Sequence, residues 1–176
     1  VDGGEIGRAQ ALQAQAAGLA AQPLAGALRT MAQVCAEAMG GAGGRMYAAF
    51  LRGMAEAAGD GPLSWPQLVA MLRAGRLALE RESGLGRGAK TMLDVVVPVI
   101  EALERAPAAA SPEHLGGLAI AAAGHALHHT RELIAAWQPA NARGRDSLEH
   151  IDPGACSAAL IIGAVVGALT ESTEAR

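Results

Sequence analysis

Gly88-Ala89-Lys90-Thr91-Met92-Leu93-Asp94-Val95-Val96-Val97-Pro98-Val99-Ile100 is the stretch on which a strand and a helix compete. Val95, Val96, Val97, Val99 and Ile100 favour a strand by propensity. Pro98 would remove a ladder donor from the middle of that strand, and no second strand is available to pair with it. Met92, Val96, Val99 and Leu103 also fall on one helical face. The segment is therefore read as a helix with a proline irregularity.

Outward from it, the helix starts are written plainly. Ser64-Trp65-Pro66, Ser111-Pro112-Glu113 and Asp152-Pro153-Gly154 each place a capping side chain before an early proline. Proline suits the first turn because its missing N–H has no intrahelical partner there. Between these starts the pattern is Ala/Leu-rich with a period near 3.6. Helices are expected at 6–21, 23–39, 45–58, 65–82, 91–105, 112–137 and 153–170. The fold class is all-α: an antiparallel bundle with short loops and no sheet.

Composition agrees with this reading. The 176 residues fit one domain, 1–176, and apolar residues at 51% against 18% charged exclude a disordered chain. With one Phe, one Tyr and two Trp, the core must come from Ala, Leu, Val, Ile and Met. A formal net charge of −3 argues against a nucleic-acid partner. Cys35 and Cys156 have no metal-type spacing and read as small buried residues in a reducing, cytoplasmic setting. Ala155 to Leu169 is the longest apolar run, short of the roughly 20 residues of a membrane span. It is read as a buried core helix, with no membrane partner. The chain starts at Val1 inside a Gly-rich motif, so the natural N-terminus is expected upstream.

Three glycine-containing places suit anions. Gly40-Gly41-Ala42-Gly43-Gly44 opens a helix, where N–H groups without neighbouring Cβ atoms can converge on an oxygen. A plain interhelical turn explains the same glycines. Asp152-Pro153-Gly154-Ala155 is a helix start that backbone or ligand could approach closely; taken alone it is a good N-cap. Gly84 to Lys90 is glycine-rich and basic, read by itself as a solvated connection, and it lacks P-loop spacing. His125, His128 and His129 could offer two imidazoles to one metal. No HExxH motif or acidic third ligand accompanies them, and a polar helix face is the plainer reading.

Together these motifs resemble a family. Gly88 to Val99 is similar to the GDKTMxDVxxPV stretch of the nucleotide-binding L subunit or domain of dihydroxyacetone kinases. His150-Ile151-Asp152-Pro153-Gly154-Ala155 resembles its GHxDPGA, and Met39 to Gly44 its GGASG phosphate loop. Val1-Asp2-Gly3-Gly4 resembles the end of its GDxDxG motif. The motifs come in the family's order and span almost the whole chain.

The resemblance implies an antiparallel barrel of about eight helices, about seven of them in this sequence, with nucleotide at the rim. It implies ADP or ATP held with Mg²⁺, Asp2 being the metal ligand. Nucleotide contacts would come from Gly3, Gly4, Gly40, Gly41, Ala42, Gly43, Ser83, Thr91, Met92, Asp152, Pro153 and Gly154. No residue of this chain is expected to act as a covalent catalyst. The phosphoryl group would pass to dihydroxyacetone, or a similar small keto or hydroxy substrate, held by a K-type partner subunit or domain. A phosphotransferase-system protein is a further expected partner, as phosphoryl donor.

The sequence also departs from the family. Gly43 replaces the loop Ser, Arg45 its following Pro, and Ala89 the acid before Lys90. Pro139 stands where the family has a nucleotide-contacting Arg, with Arg143 and Arg145 as nearby candidates to replace it. Arg45 and Lys90 are the basic residues nearest the expected phosphates. Two alternatives follow: a non-catalytic regulatory L-like protein that binds a partner protein, and a related kinase domain acting on another small substrate.

Overall fold

The computed structural model describes residues 18–107, 109–136 and 140–174. Among them there are helices and turns and no strand. The all-α expectation holds. The described residues fall into two compact units divided after Gly84. The helix expected at 6–21 lies outside the described residues as far as residue 17.

The first unit contains α1 (Leu24–Met39), α2 (Gly41–Glu56) and α3 (Trp65–Ser83). Only Gly40 separates α1 from α2, and Gly40 and Gly41 both take left-handed φ values, 61° and 56°. A side chain at either would be strained, so this one-residue reversal needs glycine. Helix α2 was expected from residue 45. It starts at Gly41 instead, because the glycine cluster supplies the reversal and then continues as the first helical turn.

Helix α2 packs on both neighbours. A Cβ at Gly53 would lie 2.6 Å from the Ala74 carbonyl oxygen, and one at Gly75 would lie 2.9 Å from that of Phe50. The backbones of α2 and α3 therefore approach more closely than any other residue would allow. Leu28, Ala55 and Met71 form the buried cluster that this approach encloses. Ser64 caps α3, its Oγ accepting from the Gln67 amide at 3.4 Å, and Gly84 ends the helix at φ 67°.

The second unit contains α4 (Leu93–Glu104), α5 (Pro112–His129) and α6 (Pro153–Glu174). Helix α4 packs against both α5 and α6. Its β-branched run is helical, with Pro98 inside. Leu93, Val95, Val97 and Ile100 are almost wholly buried. A helix that is apolar on all sides belongs at the centre of its unit, where burial overrides strand propensity.

Helix α5 is capped by Ser111, whose Oγ accepts from the His114 amide at 3.2 Å. It was expected to run to residue 137. It ends at His129, gives one 3₁₀ turn (Thr130–Glu132) and then becomes extended at Leu133. The Thr130 hydroxyl turns back to the Leu127 carbonyl at 2.7 Å. A second 3₁₀ segment, Ala140–Ser147, is broken at Gly144.

Helix α6 corrects a further expectation. Ala155 and Ala158 are buried, but Leu160, Ile161, Val165 and Leu169 are exposed, Leu160 by 69%. It is not the core helix that its hydropathy implies. It also extends past the apolar run to Glu174, and its 19-residue stretch Pro153–Glu171 is long and apolar enough to cross a membrane by length and composition. Its packed side is held by close contact, since a Cβ at Gly116 of α5 would lie 2.7 Å from Val166.

Candidate functional site

In the first unit the candidate residues gather at one end of the helices. The amides of Gly41, Ala42 and Gly43 open α2, and no side chain caps that end. Orphan N–H groups and the helix dipole make such a start attractive to an anion. The far end of α3 lies alongside, because Arg45 Nε sits 3.5 Å from Glu82 Oε1. Arg45, expected near phosphate, is thus paired with a carboxylate on the surface. Ser83 is buried, its Oγ donating to the Leu79 carbonyl at 2.9 Å.

In the second unit the family-like motifs meet. A Cβ at Gly154 would lie 3.4 Å from the Met92 amide nitrogen and 3.0 Å from Asp152 Oδ2. The Thr91–Met92 turn therefore packs against the start of α6, and Thr91, Met92, Asp152, Pro153 and Gly154 form one neighbourhood. Asp152 caps α6: its Oδ2 accepts from the Ala155 amide at 2.7 Å. The Asp152 amide donates to the Thr130 hydroxyl at 3.2 Å, joining the end of α5 to the start of α6.

Asp94 shapes the turn from the other side. Its carboxylate accepts from the Gly88 amide at 2.5 Å and the Thr91 amide at 2.7 Å. The Thr91 hydroxyl accepts from the Leu93 amide at 3.2 Å. Burial pushes the Asp152 carboxyl above its ordinary pKa, and the Asp94 charge adds to that against the amides donated to Asp152.

Lys90 corrects the picture of a solvated, basic loop. It is only 4% exposed and has φ 57°. Its Nζ donates to the carbonyls of Leu133 (3.0 Å), His150 (2.9 Å) and Ser147. Burial lowers its pKa, with Asp152 opposing that shift. The sequence reading missed Asp94 and Thr130 as site-shaping residues. Asp94 carried a signal, since an acid three residues after a Thr at a helix start can reach back to that residue's amide; Thr130 carried none.

Asp2, Gly3 and Gly4 lie outside the described residues, as does Pro139. His125, His128 and His129 face solvent, and His129 Nδ1 lies 3.0 Å from Glu132 Oε2. No group of three or more His, Cys, Asp or Glu residues that could hold a metal occurs among the described residues. Cys35 and Cys156 are free thiols, each only partly buried rather than fully inside as expected.

Comparison with known proteins places this fold and these motifs. The DAK2 domain model matches residues 5–167, and the chain belongs to the DAK2 domain family. Two similar proteins are from Listeria innocua serovar 6a. The chain is 30% identical over 138 residues to the PEP-dependent dihydroxyacetone kinase 1, ADP-binding subunit DhaL, covering 78% of this chain and 65% of that protein. It is 26% identical over 129 residues to the corresponding subunit of kinase 2, covering 73% and 60%. The matched part thus spans less than two thirds of either relative.

Proposed function

We propose that this chain is the nucleotide-binding L-type component of a dihydroxyacetone-kinase-like phosphotransfer system. It binds ADP or ATP and passes the phosphoryl group to dihydroxyacetone, or a similar small keto or hydroxy compound, held by a K-type partner. A phosphotransferase-system protein is the proposed donor that recharges bound ADP, and the cytoplasm the proposed location. The names of the two relatives, both ADP-binding subunits, support the nucleotide.

The observation that carries the reading is the packing of Gly154 against Met92. It brings two motifs, whose Met92 and Gly154 are 62 residues apart in sequence, into one wall of small groups and closely packed backbone. Such a wall suits phosphate and ribose oxygens, which need close backbone approach more than bulky side chains. Phosphoryl transfer asks chiefly for positioning and charge neutralisation, so a rigid scaffold held by its own hydrogen bonds is the appropriate contribution.

Mg²⁺ belongs to the proposal through Asp2 alone. The described residues contain no cluster that fits the ion. Titration calorimetry of full-length protein with ADP, with Mg²⁺ and with a chelator, tests the reading. Tight binding that depends on Mg²⁺ is expected. No ADP binding in either condition would overturn it in favour of a regulatory L-like protein.

A further inference from the structure

The Lys90 ammonium has three N–H donors. All three are taken by backbone carbonyls, those of Leu133, Ser147 and His150. No donor remains for a ligand oxygen. The acceptors all lie in the connection between α5 and α6, while Lys90 itself directly precedes the Thr91–Met92 turn. The link runs both ways along the chain, because the Ala136 amide donates to the Ala89 carbonyl at 3.0 Å.

The connection is also bound to itself. The Ala135 amide donates to Ser147 Oγ at 3.0 Å, the Glu149 amide to the Arg131 carbonyl at 2.7 Å, and the Asp152 amide to Thr130 Oγ1 at 3.2 Å. Its described residues are therefore tied into a folded strap, and Lys90 is the inner fastening. The strap leads straight into Asp152 and Gly154. Whatever fixes the strap fixes where the start of α6 lies against Met92.

We propose that Lys90 is a positioning residue for nucleotide binding: its buried ammonium fastens the α5–α6 connection to the Thr91–Met92 turn and so holds Gly154 and Met92 in register for ADP. This deepens the ADP-binding reading and rests on it. The left-handed backbone at Lys90 fits the role, since a non-glycine residue at φ 57° is kept only where its surroundings over-determine it. A lysine serving as a phosphate contact would instead present its ammonium toward ligand.

The test compares wild-type protein with Lys90→Met and Lys90→Arg, all full-length. ADP affinity is read by calorimetry well below the melting temperature. Amide hydrogen exchange is read at Ala136, Glu149 and Asp152. In Lys90→Met the helical circular dichroism should persist, ADP should bind about tenfold or more weakly, and those three amides should exchange faster than the amides of α4. Lys90→Arg keeps the charge, but its planar fork cannot serve three converging carbonyls from one nitrogen, and an intermediate loss is expected. If Lys90→Met does not fold, the Arg variant decides. A folded variant with wild-type ADP affinity overturns the positioning role. A wild-type protein that takes no ADP overturns the nucleotide reading itself and this inference with it.

Discussion

Gly154 lies against Met92 so closely that a Cβ at position 154 would sit 3.4 Å from the Met92 amide nitrogen and 3.0 Å from Asp152 Oδ2. Both distances are at or below ordinary contact, so the α6 start and the turn before α4 meet through backbone. Gly154→Val should therefore crowd this joint. A loss of about 1–3 kcal/mol in urea unfolding is expected, together with weaker ADP binding. Gly154→Ala should cost less, because alanine's better helix propensity, worth up to about 1 kcal/mol, offsets part of the crowding.

Glycines inside helices separate by what a Cβ would meet. At Gly53 it would meet the Ala74 carbonyl oxygen at 2.6 Å and Ala78 Cβ at 2.7 Å, both rigid. At Gly163, in α6, it would meet nothing within 4 Å. Gly53→Ala should force α2 and α3 apart and destabilise by about 1–3 kcal/mol. Gly163→Ala should stabilise by up to about 1 kcal/mol, since it removes backbone freedom from the unfolded chain and strains nothing. Denaturant midpoints of the two variants should move in opposite directions.

Asp152 caps α6 at the expense of a buried carboxylate. Asp152→Ala removes the acceptor for the Ala155 amide and should cost about 1–2 kcal/mol. Asp152→Asn keeps an acceptor and should cost much less at neutral pH. The pH dependence has a definite sign. The folded carboxyl, raised above its ordinary value chiefly by burial, holds its proton to higher pH than the unfolded one. Its contribution to stability is greatest in acid and falls as pH rises through the folded pKa. The stability of wild-type protein relative to Asp152→Asn should accordingly decline as pH rises from below the ordinary aspartate value through the folded pKa. Paired urea titrations across that range measure it.

The sequence by itself determined where α3, α5 and α6 begin. Ser64, Ser111 and Asp152, each followed by an early proline, act on amides within the next turn, and the structure has helices starting at Trp65, Pro112 and Pro153. It also determined that the Val95–Ile100 run is helical, because Pro98 and the lack of a pairing strand are visible in one dimension. Only the tertiary structure decided that α5 stops at His129, where the Thr130 hydroxyl engages both Leu127 and Asp152. It alone decided which side of α6 is covered, since hydropathy records how apolar a residue is and not what packs on it. Lys90 shows the reason most plainly. Its neighbours in sequence are glycine-rich and read as solvated, but its ammonium is satisfied by carbonyls 43, 57 and 60 residues away. A charge is buried only where distant backbone converges to receive it, and that convergence exists only once the chain has folded.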